Sequence, residues 1–180
     1  MPKAISPKIK KKAKDIKLLI MDVDGVLTPG HIVMDGLSDE IKFFDVQDGF
    51  GLMLWKKAGL KSAIVTAGKT PAVKVRAGHL KIDIVYQEAI DKRSVYESLK
   101  KQFKIKDKEV CFIGDDLIDL PILKRVGLAC CVANGHKDIM PYVHYVTSSD
   151  GGRGAVREVI DIILKAKGLW AKVTREYFQR

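Results

Sequence analysis

Two aspartates end an apolar run near the N-terminus. Asp22 and Asp24 follow the letters KLLIM, and Gly25 comes next. Residues two apart on a strand point to the same side, so both carboxylates can face one ligand while Val23 packs the other way. Gly25 permits the sharp turn that must follow. Because carboxylates beside an apolar run are costly without a partner, this spacing predicts a functional site rather than a simple turn.

Further polar groups follow other apolar runs. Thr66 ends KSAIVT, Asp115 and Asp116 follow VCFIG, and Lys92 begins the stretch after the run IDIVY. A parallel sheet brings the carboxyl ends of its strands to one edge, so these groups are expected to converge there. Clustered carboxylates need a cation, and oxygen ligands without His or Cys favour Mg²⁺. Mg²⁺ suggests a phosphate partner, for which the Thr66 hydroxyl and Lys92 ammonium are suitable donors.

The runs that carry these groups predict a doubly wound parallel sheet. Most are continuously apolar, as is typical of strands covered on both faces, and helix-like stretches separate them. The predicted strands are residues 17–21, 61–66, 82–86, 110–114, 128–132 and 145–147. Helices are predicted after Asp91, as an N-cap, and between Gly154 and Gly168. This alternation in 180 residues predicts one α/β domain, residues 1–180.

One stretch interrupts the alternation of strands and helices. Gly36 separates two partly alternating runs within residues 31–46, which predicts a β-hairpin inserted after the first strand.

The charge is concentrated towards the two ends of the chain. The net charge is +10, much of it from a basic N-terminal extension (residues 1–15) and a C-terminal tail (residues 169–180). Such an excess can attract nucleic acid or membrane, suit a small anionic substrate, or be a solvated surface. No aromatic residues interleave the N-terminal run, which favours the solvated surface over nucleic acid. The tail is too apolar to be solvated and is expected to dock on this or a neighbouring subunit.

No apolar run is long enough to span a bilayer, and the run at residues 18–21 is too short for a signal peptide. The expectation is a cytoplasmic protein without a membrane partner.

The motifs at these strand ends resemble those of the haloacid dehalogenase superfamily. DVDGVLT, IVTAGK, DKRS and GDDLIDLP match its four motifs in order. The resemblance implies that Asp22 is the nucleophile and that Asp24 is first general acid and then general base. It implies that Asp22, Asp115 and the Asp24 backbone carbonyl bind Mg²⁺, and that Thr66 and Lys92 hold the phosphoryl oxygens.

Two further aspartates lie in the fourth motif. For Asp116 and Asp119 two interpretations stay open. One of them orients Lys92 or a water on the metal, or Asp119 serves only to start a helix.

A longer resemblance covers residues 16–168. The stretches FFDVQDGFGLMLWKKAG, GDDLIDLPILKRVGL and GGRGAVREVIDIIL are similar to the 3-deoxy-D-manno-octulosonate 8-phosphate phosphatases. Superfamily members that act on small metabolites commonly carry a cap domain, for which the spacings from Asp24 to Thr66 and from Thr66 to Lys92 leave no room. The resemblance implies a homotetramer in which the 31–46 hairpin joins four subunits and a neighbour closes each site. It also implies hydrolysis of the phosphorylated eight-carbon sugar acid in lipopolysaccharide biosynthesis.

Positions that match this family imply substrate contacts. They are Asp48, Gly49, Phe50, Gly51, Leu52, Arg76 and Lys92. Simpler interpretations stay open, in which Asp48 is an N-cap, Phe50 belongs to the core and Arg76 is a solvated helix residue. Arg153, in SSDGGRGAVRE, either approaches a site or packs at a helix N-terminus.

The second motif departs from the family. It reads Thr-Ala-Gly-Lys where these phosphatases usually have Thr-Gly-Arg, so Gly68 takes the place of the arginine. Lys69 can substitute after a small shift, but it is not a bidentate carboxylate clamp. The exact sugar acid therefore stays open, and a phosphatase of a nine-carbon, sialic-type 9-phosphate is the nearest alternative.

Two more alternatives come from other classes. The missing cap and the basic charge would suit a nucleic-acid end phosphatase. A non-catalytic binding module could keep the same fold, but the intact set of Asp22, Asp24, Thr66, Lys92 and Asp115 argues against it.

Overall fold

Strands and helices alternate along the chain. A computed structural model describes residues 5–36 and 40–179. Its strands are β1 (Leu18–Met21), β2 (Val33–Met34), β3 (Glu40–Ile41), β4 (Lys61–Val65), β5 (Ile84–Tyr86), β6 (Val110–Gly114), β7 (Leu128–Cys131) and β8 (Tyr145–Val146). Its helices are α1 (Pro7–Asp15), α2 (Val46–Lys57), α3 (Pro71–His79), α4 (Lys92–Phe103), α5 (Leu120–Leu123), α6 (Ala155–Ala166) and α7 (Trp170–Phe178). All six predicted strands are present, with bounds shifted by two residues at most.

Six parallel strands form the main sheet, in the order β5-β4-β1-β6-β7-β8. β1 lies between β4 and β6, and Met21 is paired with Ile64 on one side and Ile113 on the other. The chain builds outwards from β1 first through β4 and β5 and then through β6, β7 and β8. The order reverses at β1, so the crevice beyond its carboxyl end is the expected ligand position. The predicted doubly wound α/β fold is confirmed.

Apolar side chains cover both faces of this sheet. In β1, Leu19 and Met21 belong to one core cluster, and Leu18 and Ile20 belong to the other. All four residues of the strand are buried, because helices lie on both sides. This explains why the strand sequences are continuous apolar runs rather than alternations.

The predicted hairpin is present as a separate two-stranded sheet. β2 and β3 pair antiparallel, with Val33 opposite Ile41 and Met34 opposite Glu40. Residues 37–39, between β2 and β3 in the chain, lie outside the described residues. Between β1 and α2 nothing larger than this hairpin is inserted in the part of the chain that is described. The hairpin and the segment leading to α2 expose large apolar side chains, namely Ile32, Met34, Ile41, Phe43 and Val46.

The two ends of the chain pack on the body. α1 lies against α6 and buries Ile9 and Ala13, while most of its lysines stay exposed. The N-terminal run is therefore a packed helix with a solvated basic face, and residues 1–4 lie outside the described part. α7 docks on α2 and α6 of its own chain, with Val173 buried. Among the described helices, none is both long and apolar enough to cross a membrane.

Candidate active site

Asp22 is fixed at the end of β1 by backbone and side-chain contacts. Its backbone N–H donates to the Ile113 carbonyl at 3.1 Å, which extends the pairing of β1 with β6. Its Oδ1 accepts from the Val23 N–H at 2.7 Å, and its Oδ2 accepts from Lys92 Nζ at 2.5 Å. The residue is buried. The carboxylate therefore has a defined orientation towards the crevice.

Lys92 is the first residue of α4, and an N-cap residue marks where that helix begins. Asp91 Oδ1 accepts from the backbone N–H groups of Arg93 and Ser94, which confirms the predicted cap. The Lys92 ammonium lies 2.5 Å from Asp22 Oδ2 and 2.7 Å from Asp119 Oδ1. Burial lowers the pKa of Lys92, but its two carboxylate partners more than offset this, so its pKa is raised and it stays charged.

Asp119 is a buried anchor for the loop after β6. Its Oδ1 binds Lys92, and its Oδ2 accepts from the backbone N–H of Asp115 at 2.9 Å and of Asp116 at 3.4 Å. A Cβ added at Gly114 would lie 2.3 Å from Asp119 Oδ2, so a glycine makes room for this carboxylate. Asp119 makes no side-chain cap to α5, although its bond to the Asp116 N–H completes a capping box at the short 3-10 helix just before α5, as the helix-start interpretation expects. These contacts support the interpretation in which Asp119 orients Lys92.

The acidic groups are crowded, which changes their protonation. Burial and repulsion from Asp119, opposed by Lys92, raise the pKa of Asp22 to about 6. Burial, together with repulsion from Asp119 and Asp22, raises the pKa of Asp115 to about 7. Carboxylate oxygens of Asp22, Asp115 and Asp119 all lie within 4.8 Å of one another. A cation at this point would relieve the repulsion.

The donor set fits a hard cation such as Mg²⁺. Both Asp119 oxygens are already engaged, whereas the Asp115 carboxylate accepts no hydrogen bond from another described side chain or N–H. Asp115 is therefore the least engaged of the three carboxylates. Both oxygens of Asp22 also accept hydrogen bonds, so its role as a metal ligand stays a prediction. Gly25 lies next to the Asp115 carboxylate. A Cβ added at Gly25 would lie 2.0 Å from Asp115 Oδ2.

Asp24 stands beside this cluster and is held from the hairpin. Its Oδ1 accepts from Lys42 Nζ at 2.5 Å, and the same ammonium lies 2.5 Å from Glu40 Oε2. Burial lowers the pKa of Lys42, but its hydrogen bonds to Asp24 and Glu40 more than offset this and leave the pKa raised. The sequence interpretation missed Lys42. Alternation places Glu40 and Lys42 on one side of a strand, but nothing in the spacing indicates that this side meets Asp24.

Thr66 completes the cleft from the neighbouring strand. It follows β4, where its backbone N–H donates to the Tyr86 carbonyl at 3.0 Å. Its Oγ1 accepts from the Gly68 N–H at 3.3 Å. Together with Asp22, Asp24, Lys92 and Asp115 it lines a cleft of about 260 Å³. The structure thus brings together at one cleft the residues that the strand-end pattern singled out. Asp116 is exposed at the rim of the cleft.

The residues at the start of α2 have other contacts within a single chain. The Asp48 carboxylate accepts from the backbone N–H of Arg157 at 2.7 Å and of Gly154 at 3.3 Å, and so caps α6. Burial raises the pKa of Asp48 to about 6. Phe50 makes an edge-to-face contact with Tyr177, and Leu52 is buried in the core. These residues do not line the cleft of their own chain.

Two glycines of this segment also serve packing. A Cβ at Gly49 would lie 2.3 Å from Arg76 Nη2, and one at Gly51 would lie 2.9 Å from Arg157 Cδ. The substrate contacts predicted for residues 48–52 stay a prediction, and they would need the site of another subunit.

Arg76 also lies outside its own cleft. Its Nη2 donates to the Asp45 carbonyl at 3.3 Å, and the guanidinium lies 5.7 Å from the centre of the Phe44 ring. Its buried Nε has no hydrogen-bond partner among the described residues. Arg76 is therefore half-buried rather than freely solvated, and its contact with a substrate stays a prediction.

The two remaining basic residues of the predicted site, Lys69 and Arg153, are exposed. Lys69 pairs with Glu88 at 2.9 Å, and both side chains are mostly in solvent. Arg153 lies in a glycine-rich loop that packs closely on the loop after Asp24. A Cβ at Gly151 of this loop would lie 1.6 Å from the Gly25 carbonyl oxygen. The glycines therefore serve close backbone packing.

Comparisons with known proteins agree with this fold. The family model for haloacid dehalogenase-like hydrolases matches residues 59–160. The chain belongs to this family. A curated relative, the 3-deoxy-D-manno-octulosonate 8-phosphate phosphatase KdsC of Salmonella typhimurium, is 42% identical over 164 residues, covering 91% of this chain and 87% of the relative.

Solved structures of phosphatases with the same name are also similar to this chain. The 3-deoxy-D-manno-octulosonate 8-phosphate phosphatase of Yersinia pestis has a TM-score of 0.90 at 40% identity, covering 92% of this chain and 89% of the other. The phosphatase of the same name from Moraxella catarrhalis, in complex with magnesium, phosphate and KDO, has a TM-score of 0.93 at 38% identity. That match covers 96% of this chain and 99% of the other.

Proposed function

We propose that this protein is a Mg²⁺-dependent phosphatase that hydrolyses 3-deoxy-D-manno-octulosonate 8-phosphate to the free sugar acid and phosphate. The observation that carries the proposal is the Asp22 carboxylate, held by Lys92 at 2.5 Å beside Asp115 and Thr66 in one cleft. Relatives about 40% identical over most of the chain carry this phosphatase name, and one of them binds magnesium and the sugar acid. The reaction would belong to lipopolysaccharide biosynthesis.

In the first half of the proposed reaction, Asp22 attacks phosphorus. An Oδ–P bond forms as the ester P–O bond breaks, which gives an aspartyl-phosphate. Asp24 donates its proton to the departing alkoxide oxygen, so that the sugar acid leaves as a neutral alcohol at that position. Lys92 and Thr66 hold the equatorial phosphoryl oxygens during the transfer.

In the second half, water replaces Asp22. Asp24, now ionised, takes a proton from the water as its oxygen attacks phosphorus, and the Asp22–P bond breaks to release phosphate. Asp22 and Asp115, together with the Asp24 backbone carbonyl, would hold Mg²⁺, which supplies positive charge for the transferring phosphoryl group.

The assembly is a separate part of the proposal. Residues 1–180 form one phosphatase domain, and the 31–46 hairpin joins four copies in the cytoplasm. Support comes from the exposed apolar side chains of the hairpin, since such clusters mark contact surfaces. A neighbouring subunit would also explain how an open cleft without a cap excludes water, and how residues 48–52 or Arg76 could reach a substrate.

The substrate is tested by phosphate release from two sugar acids. The purified protein is given the eight-carbon 8-phosphate and the nine-carbon 9-phosphate, with Mg²⁺ or with a chelator. We expect higher kcat/KM for the eight-carbon substrate and no release with chelator or with Asp22→Asn. Preference for the nine-carbon substrate would favour the sialic-type alternative, which the Gly68 departure motivates. Absence of phosphate release from either substrate would contradict the proposal.

A second experiment addresses the nucleic-acid alternative. Release of phosphate from DNA ends would be compared with release from the sugar acid, with each substrate offered alone and together. We expect DNA neither to be hydrolysed nor to compete.

A further inference from the structure

Lys42 links the inserted hairpin to the cleft. It follows β3, and its ammonium lies 2.5 Å from Asp24 Oδ1 and 2.5 Å from Glu40 Oε2. The Lys42 side chain is 2% exposed, which is rare for a lysine and shows that the ammonium is enclosed by its partners. The two carboxylates therefore hold the Lys42 ammonium between the hairpin and the cleft.

The two oxygens of Asp24 face different surroundings. Oδ1 is occupied by Lys42, whereas Oδ2 faces Gly68 at the cleft, where an added Cβ would lie 3.3 Å from this oxygen. The Asp24 side chain is otherwise 32% exposed, and Lys42 is its only hydrogen-bonding partner among the described residues. Without Lys42, the carboxylate could rotate, and either oxygen could turn to solvent.

We propose that Lys42 is a positioning residue for Asp24, which directs Asp24 Oδ2 into the cleft and couples its orientation to the inserted hairpin. This inference rests on the proposed function, because it concerns the group that protonates the leaving alcohol. Glu40 holds the other side of Lys42 from within β3, so the pairing of β2 with β3 helps to place the Lys42 ammonium.

A positioning role makes a distinctive prediction about the leaving group. An alkyl alcohol such as the sugar acid needs a proton as it departs, whereas p-nitrophenolate leaves without one. Loss of Lys42 should therefore slow transfer from the sugar phosphate much more than transfer from p-nitrophenyl phosphate. A residue needed only for folding or assembly would affect both substrates equally.

The experiment compares Lys42→Met with the wild type. We expect kcat for the eight-carbon sugar phosphate to fall by about 10- to 100-fold, as for partial loss of general acid–base catalysis. KM should stay within about twofold, because the ground-state contacts of the substrate are unchanged. Single-turnover release of p-nitrophenolate, with enzyme in excess, should also stay within about twofold, because that step does not draw on general-acid catalysis.

Two further variants make the result specific. Lys101→Met changes an exposed lysine of α4 and should match the wild type on both substrates. Lys42→Gln keeps a shorter hydrogen-bond donor. We expect the same contrast between the two substrates, with a smaller loss of kcat for the sugar phosphate. This variant tests the inference if Lys42→Met does not fold.

Three results would overturn the inference. They are equal losses on both substrates, a rise in KM with kcat unchanged, and no change at all. Failure of the proposed function itself looks different, because the wild-type protein would then release little or no phosphate from the eight-carbon sugar phosphate, whatever its rate with p-nitrophenyl phosphate.

Discussion

The Lys92 ammonium bridges two buried carboxylates, with Nζ 2.5 Å from Asp22 Oδ2 and 2.7 Å from Asp119 Oδ1. Asp22 follows β1, Asp119 lies after β6, and Lys92 begins α4, so one side chain connects three elements. This contact compensates the negative charge of Asp22 and fixes its orientation. It therefore serves the stability of the fold and the proposed chemistry together.

Substitution of Lys92 should lower both the stability of the fold and the phosphatase activity. In Lys92→Met, two buried carboxylates lose their cation, so we expect the free energy of unfolding to fall by about 3–5 kcal/mol. Phosphatase activity should fall by more than about 100-fold, because charge stabilisation at the phosphoryl group is lost. Chemical denaturation and steady-state kinetics would measure the two effects. Lys101→Met on the same helix is the control, and a fully active Lys92→Met would contradict the assignment.

Asp115 should be needed for metal binding rather than for folding. Its carboxylate has a raised pKa and no hydrogen-bond donor among the described residues, so Asp115→Asn should leave thermal stability unchanged or higher without metal. We expect the Mg²⁺ concentration for half-maximal activity to rise by at least about tenfold. Loss of a residue that only supports a metal ligand typically weakens metal binding by about 10- to 100-fold, and loss of a ligand should weaken it no less. Asp116→Asn, at the exposed rim, is the matched control. The same Mg²⁺ dependence in both variants would remove Asp115 from the ligand set.

Gly25 should be irreplaceable because of the space that its missing side chain leaves. Gly25→Ala would place a Cβ 2.0 Å from Asp115 Oδ2, on a residue with φ of +82°. Gly59→Ala has a similar φ of +77° but meets no atom within 4 Å, so it isolates the backbone cost of about 1–2 kcal/mol. We expect both variants to be destabilised, and only Gly25→Ala to lose Mg²⁺-dependent activity. Equal activity of the two would show that the Asp115 carboxylate can shift without consequence.

Asp48 should make stability depend on pH. Its pKa is raised to about 6 in the folded state from an ordinary 3.8, so between these values the folded protein holds a proton that the unfolded chain releases. Folding is therefore favoured at low pH, and this contribution is lost as pH rises from 4 to 6. We expect the stability of the wild type relative to Asp48→Asn to fall over this range by up to about 3 kcal/mol.

Urea denaturation of the wild type and Asp48→Asn at several pH values would measure this difference. Gln47→Ala, which changes an exposed and uncharged residue of α2, is the control and should show no such slope. A difference between wild type and Asp48→Asn that is independent of pH would contradict the raised pKa.

The hairpin should hold the subunits together. Phe43 is 61% exposed, and Phe43→Asp would place a charge on the apolar surface of the hairpin. We expect the wild type to run as a tetramer in light scattering and the variant to shift towards smaller species with lower kcat. Phe178→Asp, which changes an exposed aromatic residue of α7, should stay tetrameric. A fully active wild-type monomer would refute the view that a neighbour completes the site.

Much of the fold and the cleft was predictable because it follows from local patterns. Continuous apolar runs predicted all six strands of the main sheet, and an alternating stretch around Gly36 predicted the hairpin. In a parallel sheet the carboxyl ends share one edge, so the residues after β1, β4 and β6 had to meet. Asp22, Asp24, Thr66 and Asp115 could therefore be placed from the sequence by itself.

Only the tertiary structure decided which side chains contact one another. Asp48 caps α6 more than 100 residues away, as its bond to the Arg157 N–H shows. Asp119 rather than Asp116 binds Lys92, and Lys42 turns towards Asp24. The periodicity of a sequence determines the face on which a residue lies, because that depends on local backbone geometry. The group opposite that face depends on how distant elements pack, and local periodicity carries no information about it.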